Sequence, residues 1–192
     1  MNNLCIIITN KLLNLGIVSE EKYEWCIYTI HKKLSLVISC IIISIIGIIS
    51  FNIYDTILIT VILMNLRKRT GGYHAKNDMI CYCLSISVIV LGVIIVEKVL
   101  YNNILLTLII YCVSVIIIIM FSPVNHPNIH FDTNEYLANK KIVLKLMIFY
   151  TILIVISSIL NLRIYFLITT AMLIDAASVV IAKILKQEIL AK

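Results

Sequence analysis

A histidine and a cysteine seven positions apart, His74 and Cys81, are the residues whose types and spacing best suit covalent chemistry. An imidazole that takes the proton from a thiol generates the thiolate, the nucleophilic form of cysteine. Such a partner matters because an unactivated thiol is only about 3% ionised at pH 7. The basic residues Arg67, Lys68 and Arg69 lie within the same short stretch and would also favour a thiolate. From spacing alone, a buried cysteine in a membrane helix beside an interfacial histidine remains the simpler alternative.

The spacing also limits where the histidine can lie. Two helical turns place positions 74 and 81 on one side of a helix but about 10 Å apart along its axis. Contact between the two side chains therefore requires His74 to lie in a curled loop, ahead of a helix predicted over residues 75–81. Gly71 and Gly72 make a tight, left-handed backbone accessible in that loop.

Other residues with ligating or nucleophilic side chains are weaker candidates. Cys83 projects about 200° around a helix from Cys81, so the two thiols cannot face one site, and Cys81 is the predicted nucleophile. A Cys-x-Cys pair can bind Cu(I), but a helical segment keeps its sulfurs apart. His126 and His130 have the i, i+4 spacing of a helical metal site, yet Pro127 lies between them and no third ligand is evident. The sequence therefore predicts no metal and no cofactor.

Two carboxylates are candidates for supporting roles. Asp78 lies between His74 and Cys81, on a side of the predicted helix from which it could orient the imidazole. A first-turn carboxylate is also stabilised by the helix dipole alone. Asp175 lies inside an apolar run, where a carboxylate is costly and usually marks function or an internal partner. Its candidate partners are the basic residues 67–69 or, for a neutral acid, Ser178 and Thr170.

The composition of the chain restricts what can position these residues. The 192 residues are 61% hydrophobic and 14% charged, against about 45–50% and 25% in soluble domains. A chain of this size cannot bury that excess in one core, which excludes a soluble enzyme and a disordered segment. Several of the six cysteines lie in apolar runs, unlike those of a secreted disulfide scaffold. The net charge of +6 comes from residues between apolar runs, which argues against nucleic-acid binding.

Six apolar runs predict an all-α integral membrane protein with about six membrane-embedded helices. They comprise residues 34–51, 56–66, 79–96, 104–122, 142–160 and 164–182. A run of 18–19 residues can cross about 30 Å of hydrocarbon. The first pair is too short for two full crossings and forms either two short helices or a hairpin.

The remaining residues complete the predicted organisation. Residues 1–33 have apolar side chains at helical spacing and no signal peptide, and they predict an N-terminal region of interfacial amphipathic helices, the first ending at Gly16. Residues 34–192 form the membrane domain, with a candidate catalytic loop at 67–81. The loops 67–78 and 123–141 are the longest without apolar character.

Charge asymmetry predicts the orientation. If successive runs alternate direction, 14 of the 16 basic residues lie on one side and only Lys98 and Arg163 on the other. Because basic residues are enriched on the cytoplasmic side, both termini are predicted to be cytoplasmic.

The stretch 67–81, RKRTGGYHAKNDMIC, resembles the signature of the accessory gene regulator B family. Its members are membrane cysteine endopeptidases that process quorum-sensing pro-peptides in Gram-positive bacteria. The chain length, the number of apolar runs and the segment 121–127, FSPVNHP, are also similar to the family's. The resemblance implies that His74 is the catalytic histidine and Cys81 the nucleophile, and that Arg67 and Gly72 are needed for activity.

The same resemblance implies a substrate. It is a short amphipathic pro-peptide of the accessory gene regulator D type, with an internal cysteine and an acidic C-terminal tail, processed at the inner face of the cell membrane. Cleavage would leave an acyl-enzyme thioester, and the peptide's own cysteine would close a thiolactone. Lys68 and Arg69 could hold the acidic tail, the lipid headgroups, or both. The resemblance also implies a homodimer.

Two other classes of function fit the composition. A small membrane transporter would use Asp175 and Lys145 to line a pathway, although Gly47 and Gly92 are the only glycines in the apolar runs. A non-catalytic membrane scaffold for a regulatory partner is the other alternative. Replacement of Cys81 separates the three, because only a peptidase would lose its function completely while staying folded.

Overall fold

The computed structural model of the chain describes residues 2–50, 53–73, 75, 78–101, 103–125 and 132–187. Throughout these residues the secondary structure is helical, without a β-strand, which confirms the predicted all-α class. The helices are α1 (Asn2–Asn14), α2 (Tyr23–Ser50), α3 (Ile53–Thr70), α4 (Asp78–Ile95), α5 (Ile104–Phe121), α6 (Thr133–Ile159) and α7 (Ile164–Ile184). A 3-10 turn, Glu20–Lys22, precedes α2, and a π-helical segment, Val96–Leu100, continues α4. The chain forms two compact units, Met1–Ile45 and Ile46–Lys192.

The first unit contains the helical N-terminal region. Gly16, at φ +69°, ends α1 as predicted: its N–H donates to the Leu13 carbonyl at 2.9 Å, and that of Ile17 to the Leu12 carbonyl at 3.0 Å. This double capping is the Schellman pattern, which favours glycine at the left-handed position. The Tyr23 hydroxyl donates to Asn10 Oδ1 at 2.7 Å and ties the start of α2 to α1. Because α2 continues to Ser50, the predicted boundary at residue 33 lies inside a helix.

Four helical segments in the described part of the chain are long and apolar enough to cross a membrane. They are Cys83–Leu100, Ile104–Phe121, Thr133–Ile159 and Ile164–Ile184. These segments make the chain a multi-pass membrane protein, while the count of six embedded helices stays a prediction.

Two helices extend into segments that the sequence analysis assigned to loops. Helix α3 continues through the basic cluster to Thr70, because arginine and lysine favour helix and their charges are stabilised at its C-terminus. Helix α6 begins at Thr133, where Asp132 and Glu135 form a capping box. This motif satisfies two unpaired N–H groups of the first turn and makes the polar residues from 133 onward helical.

Helix α7 lies at the centre of the second unit and packs against α3, α4, α5 and α6. Its fully buried residues include Ala171, Met172 and Ala182. Gly92 lets α4 approach closely, since a Cβ there would lie 2.9 Å from Ile174 Cδ1. Small residues at such contacts allow close helix packing in membranes.

Contacts at both ends of α3 show that α7 runs parallel to it. At the start of α3, Arg163 Nη2 lies 2.6 Å from Asp55 Oδ2, and at its end Thr70 Oγ1 donates to Asp175 Oδ1 at 3.0 Å. The second end also holds the segment after α5 and the start of α6. We call it the basic end, because it carries Arg67, Lys68, Arg69, Lys140, Lys141, Lys183 and Lys186. The alternating directions that the sequence predicts for these helices are consistent with this grouping.

The Asp55–Arg163 ion pair at the opposite end predicts a measurable effect on stability. Asp55 is buried, Arg163 is 36% exposed, and the guanidinium also lies 5.4 Å from the centre of the Tyr101 ring. Asp55→Asn should destabilise the protein by about 2 kcal/mol, the value of a hydrogen bond to a charged group. That loss corresponds to a fall of about 5 °C in the midpoint of thermal unfolding in detergent. Lys98→Gln, at an exposed position near the same end, is the control.

A double variant separates the ion pair from other effects of the substitution. Asp55→Asn combined with Arg163→Gln should lose less stability than the sum of the two single losses, because both substitutions remove the same ion pair. Fully additive losses would show that the pair does not act as a unit.

Candidate functional site

The segment between α3 and α4 begins with a glycine that ends α3. Gly71 has φ +73°, and its N–H donates to the Arg67 carbonyl at 3.1 Å. A Cβ at this position would collide with the carbonyl oxygen of Val124, in the segment after α5. The Val124 N–H donates to the Thr70 carbonyl at 2.8 Å. Gly71 therefore supplies a left-handed conformation and the space for a close backbone approach, as the sequence analysis expected.

Gly72 is also confined, by a side chain of α7 and by Arg67. Its φ of +118° is a conformation that residues with a side chain rarely adopt. A Cβ there would lie 2.6 Å from Ser178 Oγ and 3.3 Å from Arg67 Nη2. Conformation and space both favour glycine at this position. The need for Gly72 in activity stays a prediction.

Arg67 closes this short loop from the α3 side. It is half-buried, and its Nη2 donates to the carbonyl oxygen of Tyr73 at 2.7 Å. Hydrogen bonds from a charged donor are stronger than neutral ones. Arg67 thus holds the backbone immediately before His74, a role distinct from that of an exposed basic residue.

Helix α7 holds the loop from the other side. The Tyr73 N–H donates to the Ser178 carbonyl at 3.1 Å and to Ser178 Oγ at 3.0 Å. The Tyr73 ring packs on Val124 and Val179. The sequence predicts Ser178 only as a partner for Asp175. Its position one turn after Asp175, on the same helix face, is the sequence feature that could have indicated a role beside the loop.

Asp175 is completely buried beside the loop. Its Oδ1 accepts from Thr70, at the end of α3, rather than from the suggested partners Ser178 and Thr170. The Thr170 hydroxyl instead donates to the Phe166 carbonyl of its own helix. Asp175 Oδ2 has no hydrogen-bond partner within the described residues.

The two neighbouring thiols differ in exposure. Helix α4 begins at Asp78, not at residue 75 as predicted, so Cys81 lies in its first turn. Cys81 is half-buried, whereas Cys83 is exposed. Their angular separation around a helix predicts such a difference.

Several predicted site residues lie outside the described residues. They are His74, the side chain of Asp78, and the segment 126–131 with its two histidines and Pro127. The described neighbours of His74 are Tyr73 and Ala75, so the loop is defined up to the residue before it. The pairing of His74 with Cys81 stays a prediction.

The basic residues proposed to bind substrate have different surroundings. Lys68 is exposed. Arg69 Nη1 donates to Asn139 Oδ1 at 3.0 Å, which connects α3 to α6. Lys140 and Lys141 are exposed beside Asn139 on α6. The basic end therefore presents the exposed cations Lys68, Lys140 and Lys141. No group of three or more His, Cys, Asp or Glu side chains able to hold a metal occurs among the residues that the structure describes.

The sequence model of the accessory gene regulator B (AgrB) family matches residues 5–181. The chain belongs to the AgrB family. No curated protein and no solved structure matches it significantly. Membership makes the chain a multi-pass membrane protein of the accessory gene regulator system of quorum sensing, in a family of the cysteine-protease type that processes pro-peptides in the membrane. The AgrB match includes the whole loop 71–73, both thiols and the segment of α7 that contacts the loop.

Proposed function

We propose that the protein is a membrane-embedded cysteine endopeptidase that removes the C-terminal tail of an autoinducing pro-peptide. Cys81 is the nucleophile and His74 its proton acceptor. The observation that carries this proposal is the two-glycine loop, which Arg67, Ser178 and Val124 hold directly ahead of His74. In a chain that matches the AgrB family over residues 5–181, such a fixed loop is what a histidine needs to meet a thiol on a neighbouring helix.

The reaction follows from these two side chains. His74 takes the proton from Cys81, and the thiolate forms a bond to the scissile carbonyl carbon. The carbon–nitrogen bond then breaks, His74 gives its proton to the leaving amine, and the tail departs. The peptide's own cysteine then gives its proton to His74 and attacks the thioester carbonyl, which closes a thiolactone. The bond to Cys81 breaks, and the departing Cys81 thiolate takes the proton back from His74.

The position of Cys81 supports transfer to a thiol over hydrolysis. It lies half-buried in the first turn of α4, just before the span Cys83–Leu100, so the acyl group would lie at the edge of the hydrocarbon. Exclusion of water there protects the thioester until the internal thiol reaches it. We propose that Asp78 orients the imidazole and that Asp175 has a supporting role in the site.

The basic end is the proposed binding surface for the substrate and for lipids. Lys68 and Arg69, beside the exposed Lys140 and Lys141, present positive charge to an acidic peptide tail and to anionic headgroups. We assign this end, and with it both termini, to the cytoplasm, because 14 of the 16 basic residues then lie on that side. We further propose interfacial residues 1–33, a membrane domain over 34–192, and a homodimer.

Reconstitution tests the function directly. Purified protein in lipid nanodiscs should cleave a synthetic pro-peptide that carries an internal cysteine and an acidic tail, releasing the free tail and a thiolactone. Mass spectrometry identifies both products, and empty nanodiscs are the control. A substrate with the cyclising cysteine replaced by alanine should release its tail in at most one turnover per enzyme molecule, because the acyl-enzyme persists. Binding without cleavage would contradict the proposal and favour a transporter or a scaffold.

A further inference from the structure

Two hydrogen-bonding residues of α7 face the ends of the two-glycine loop. Asp175 Oδ1 accepts from the Thr70 hydroxyl, immediately before Gly71, and Ser178 accepts from the Tyr73 N–H, immediately after Gly72. The two acceptors are three residues apart on the helix, and so are the two donors on the loop. One turn of α7 therefore matches the span of the loop.

The conformation of the two-glycine loop depends on contacts from outside the loop. Two consecutive glycines leave the backbone many accessible conformations, and Gly71 and Gly72 both have positive φ. External contacts must select one of these conformations. Asp175 is fully buried and Ser178 is nine-tenths buried, and both belong to α7, which packs against α3, α4, α5 and α6.

We propose that Asp175 and Ser178 form a clamp that positions the loop carrying His74. The clamp consists of the Asp175–Thr70 and Ser178–Tyr73 contacts. Neither residue touches the reacting atoms in this proposal; both are positioning residues that act through His74. The inference rests on the proposed function, since it assigns the clamp to the histidine of the dyad.

The test uses one substitution for each half of the clamp. Thr70→Val keeps the shape of the side chain but removes the hydroxyl donor to Asp175. Ser178→Ala removes one of the two acceptors for the Tyr73 N–H. Each should lower the maximal rate of pro-peptide cleavage in nanodiscs by about 10- to 100-fold, the scale expected when a catalytic group is displaced by about 1 Å. The KM for the peptide should stay within about twofold, since Thr70 and Ser178 are buried, whereas Lys68, Lys140 and Lys141 are exposed.

Matched controls come from side chains that bond only their own helix. The hydroxyl of Thr169 donates to the Tyr165 carbonyl at 2.8 Å, and that of Ser114 to the Ile110 carbonyl at 2.8 Å. Both residues are buried. Thr169→Val and Ser114→Ala should retain wild-type cleavage. Thr70→Ser, which keeps the donor, should retain most of it.

A second measurement separates positioning from a loss of fold. The alkylation rate of Cys81 by iodoacetamide, quantified on the Cys81 peptide, reports activation of the thiol by His74. Thr70→Val and Ser178→Ala should slow it about 10-fold in the wild-type background and leave it unchanged in a His74→Ala background, because no imidazole remains to be displaced.

Each outcome decides the matter. If cleavage and Cys81 alkylation in the clamp variants match wild type, while both are slowed in His74→Ala, the clamp is wrong and the proposed peptidase stands. If they slow alkylation equally with and without His74, the contacts support the fold alone and the inference fails. If His74→Ala itself cleaves normally, the dyad is wrong, and the clamp is overturned with it.

Discussion

Cys81→Ala should abolish cleavage of a co-expressed, tagged pro-peptide, with a loss of at least about 10⁴-fold, because no other group can form the acyl-enzyme. Cys83→Ala should leave cleavage within about twofold of wild type. Cys83 is the best available control, since it lies two residues away on the same helix and differs from Cys81 in exposure. Membrane levels of each variant, measured by immunoblotting, show that the loss reflects chemistry and not expression.

The comparison between the two cysteines is decisive because the alternatives predict different patterns. A nucleophilic Cys83 would reverse the two results. A transporter or a scaffold would show neither loss, since neither thiol would carry a bond-forming step. Cys81→Ser is a further variant: its weaker nucleophile should leave at most a trace of activity if Cys81 forms the covalent bond.

His74→Ala should lower cleavage by about 10²- to 10⁴-fold, the range that general acid–base catalysis contributes. The loss should be smaller than that of Cys81→Ala, because a minor thiolate fraction still reacts without a histidine. His31 lies in the first unit and provides a control for the loss of a histidine elsewhere in the chain. His31→Ala should retain full activity. Cleavage is followed in membranes over a series of times, so that slow activity is separated from none.

A double variant shows whether the two residues work together. His74→Ala combined with Cys81→Ala should be no less active than Cys81→Ala alone, because the histidine acts only through the thiol. Wild-type cleavage by His74→Ala would contradict the dyad and direct attention to the other residues around the loop.

The apolar segments were predictable because membrane crossing imposes length and composition. The predicted run 104–122 became α5, Ile104–Phe121, and the run 164–182 became α7, Ile164–Ile184. The ends of the helices were harder to predict from the sequence. The capping pair Asp132 and Glu135 was present in the sequence, yet the polar residues after it suggested a loop. A capping box consists of only two side chains, so a prediction based on average hydropathy over many residues does not detect it.

The sequence predicted the residue types of the candidate site, but not the contacts from other helices that hold the loop in place. The two glycines and the basic residues before them indicated a tight loop, and the structure gives that loop the expected positive φ values. The Ser178 contact joins positions 105 residues apart, so no local spacing reveals it. Asp175 was recognised from the cost of a carboxylate in an apolar run, but its partner Thr70 lies on another helix and depends on the packing of α3 against α7.

The most direct test of the central claim is detection of the acyl-enzyme on Cys81. Nanodisc-embedded protein is incubated with a pro-peptide whose cyclising cysteine is alanine, quenched in acid, and digested for mass spectrometry. The account predicts a thioester on the Cys81 peptide, with the mass of the N-terminal substrate fragment, which hydroxylamine removes. The adduct should be absent in Cys81→Ala and should form about 10²- to 10⁴-fold more slowly in His74→Ala. Tail release without an adduct, or an adduct on Cys83, would contradict it.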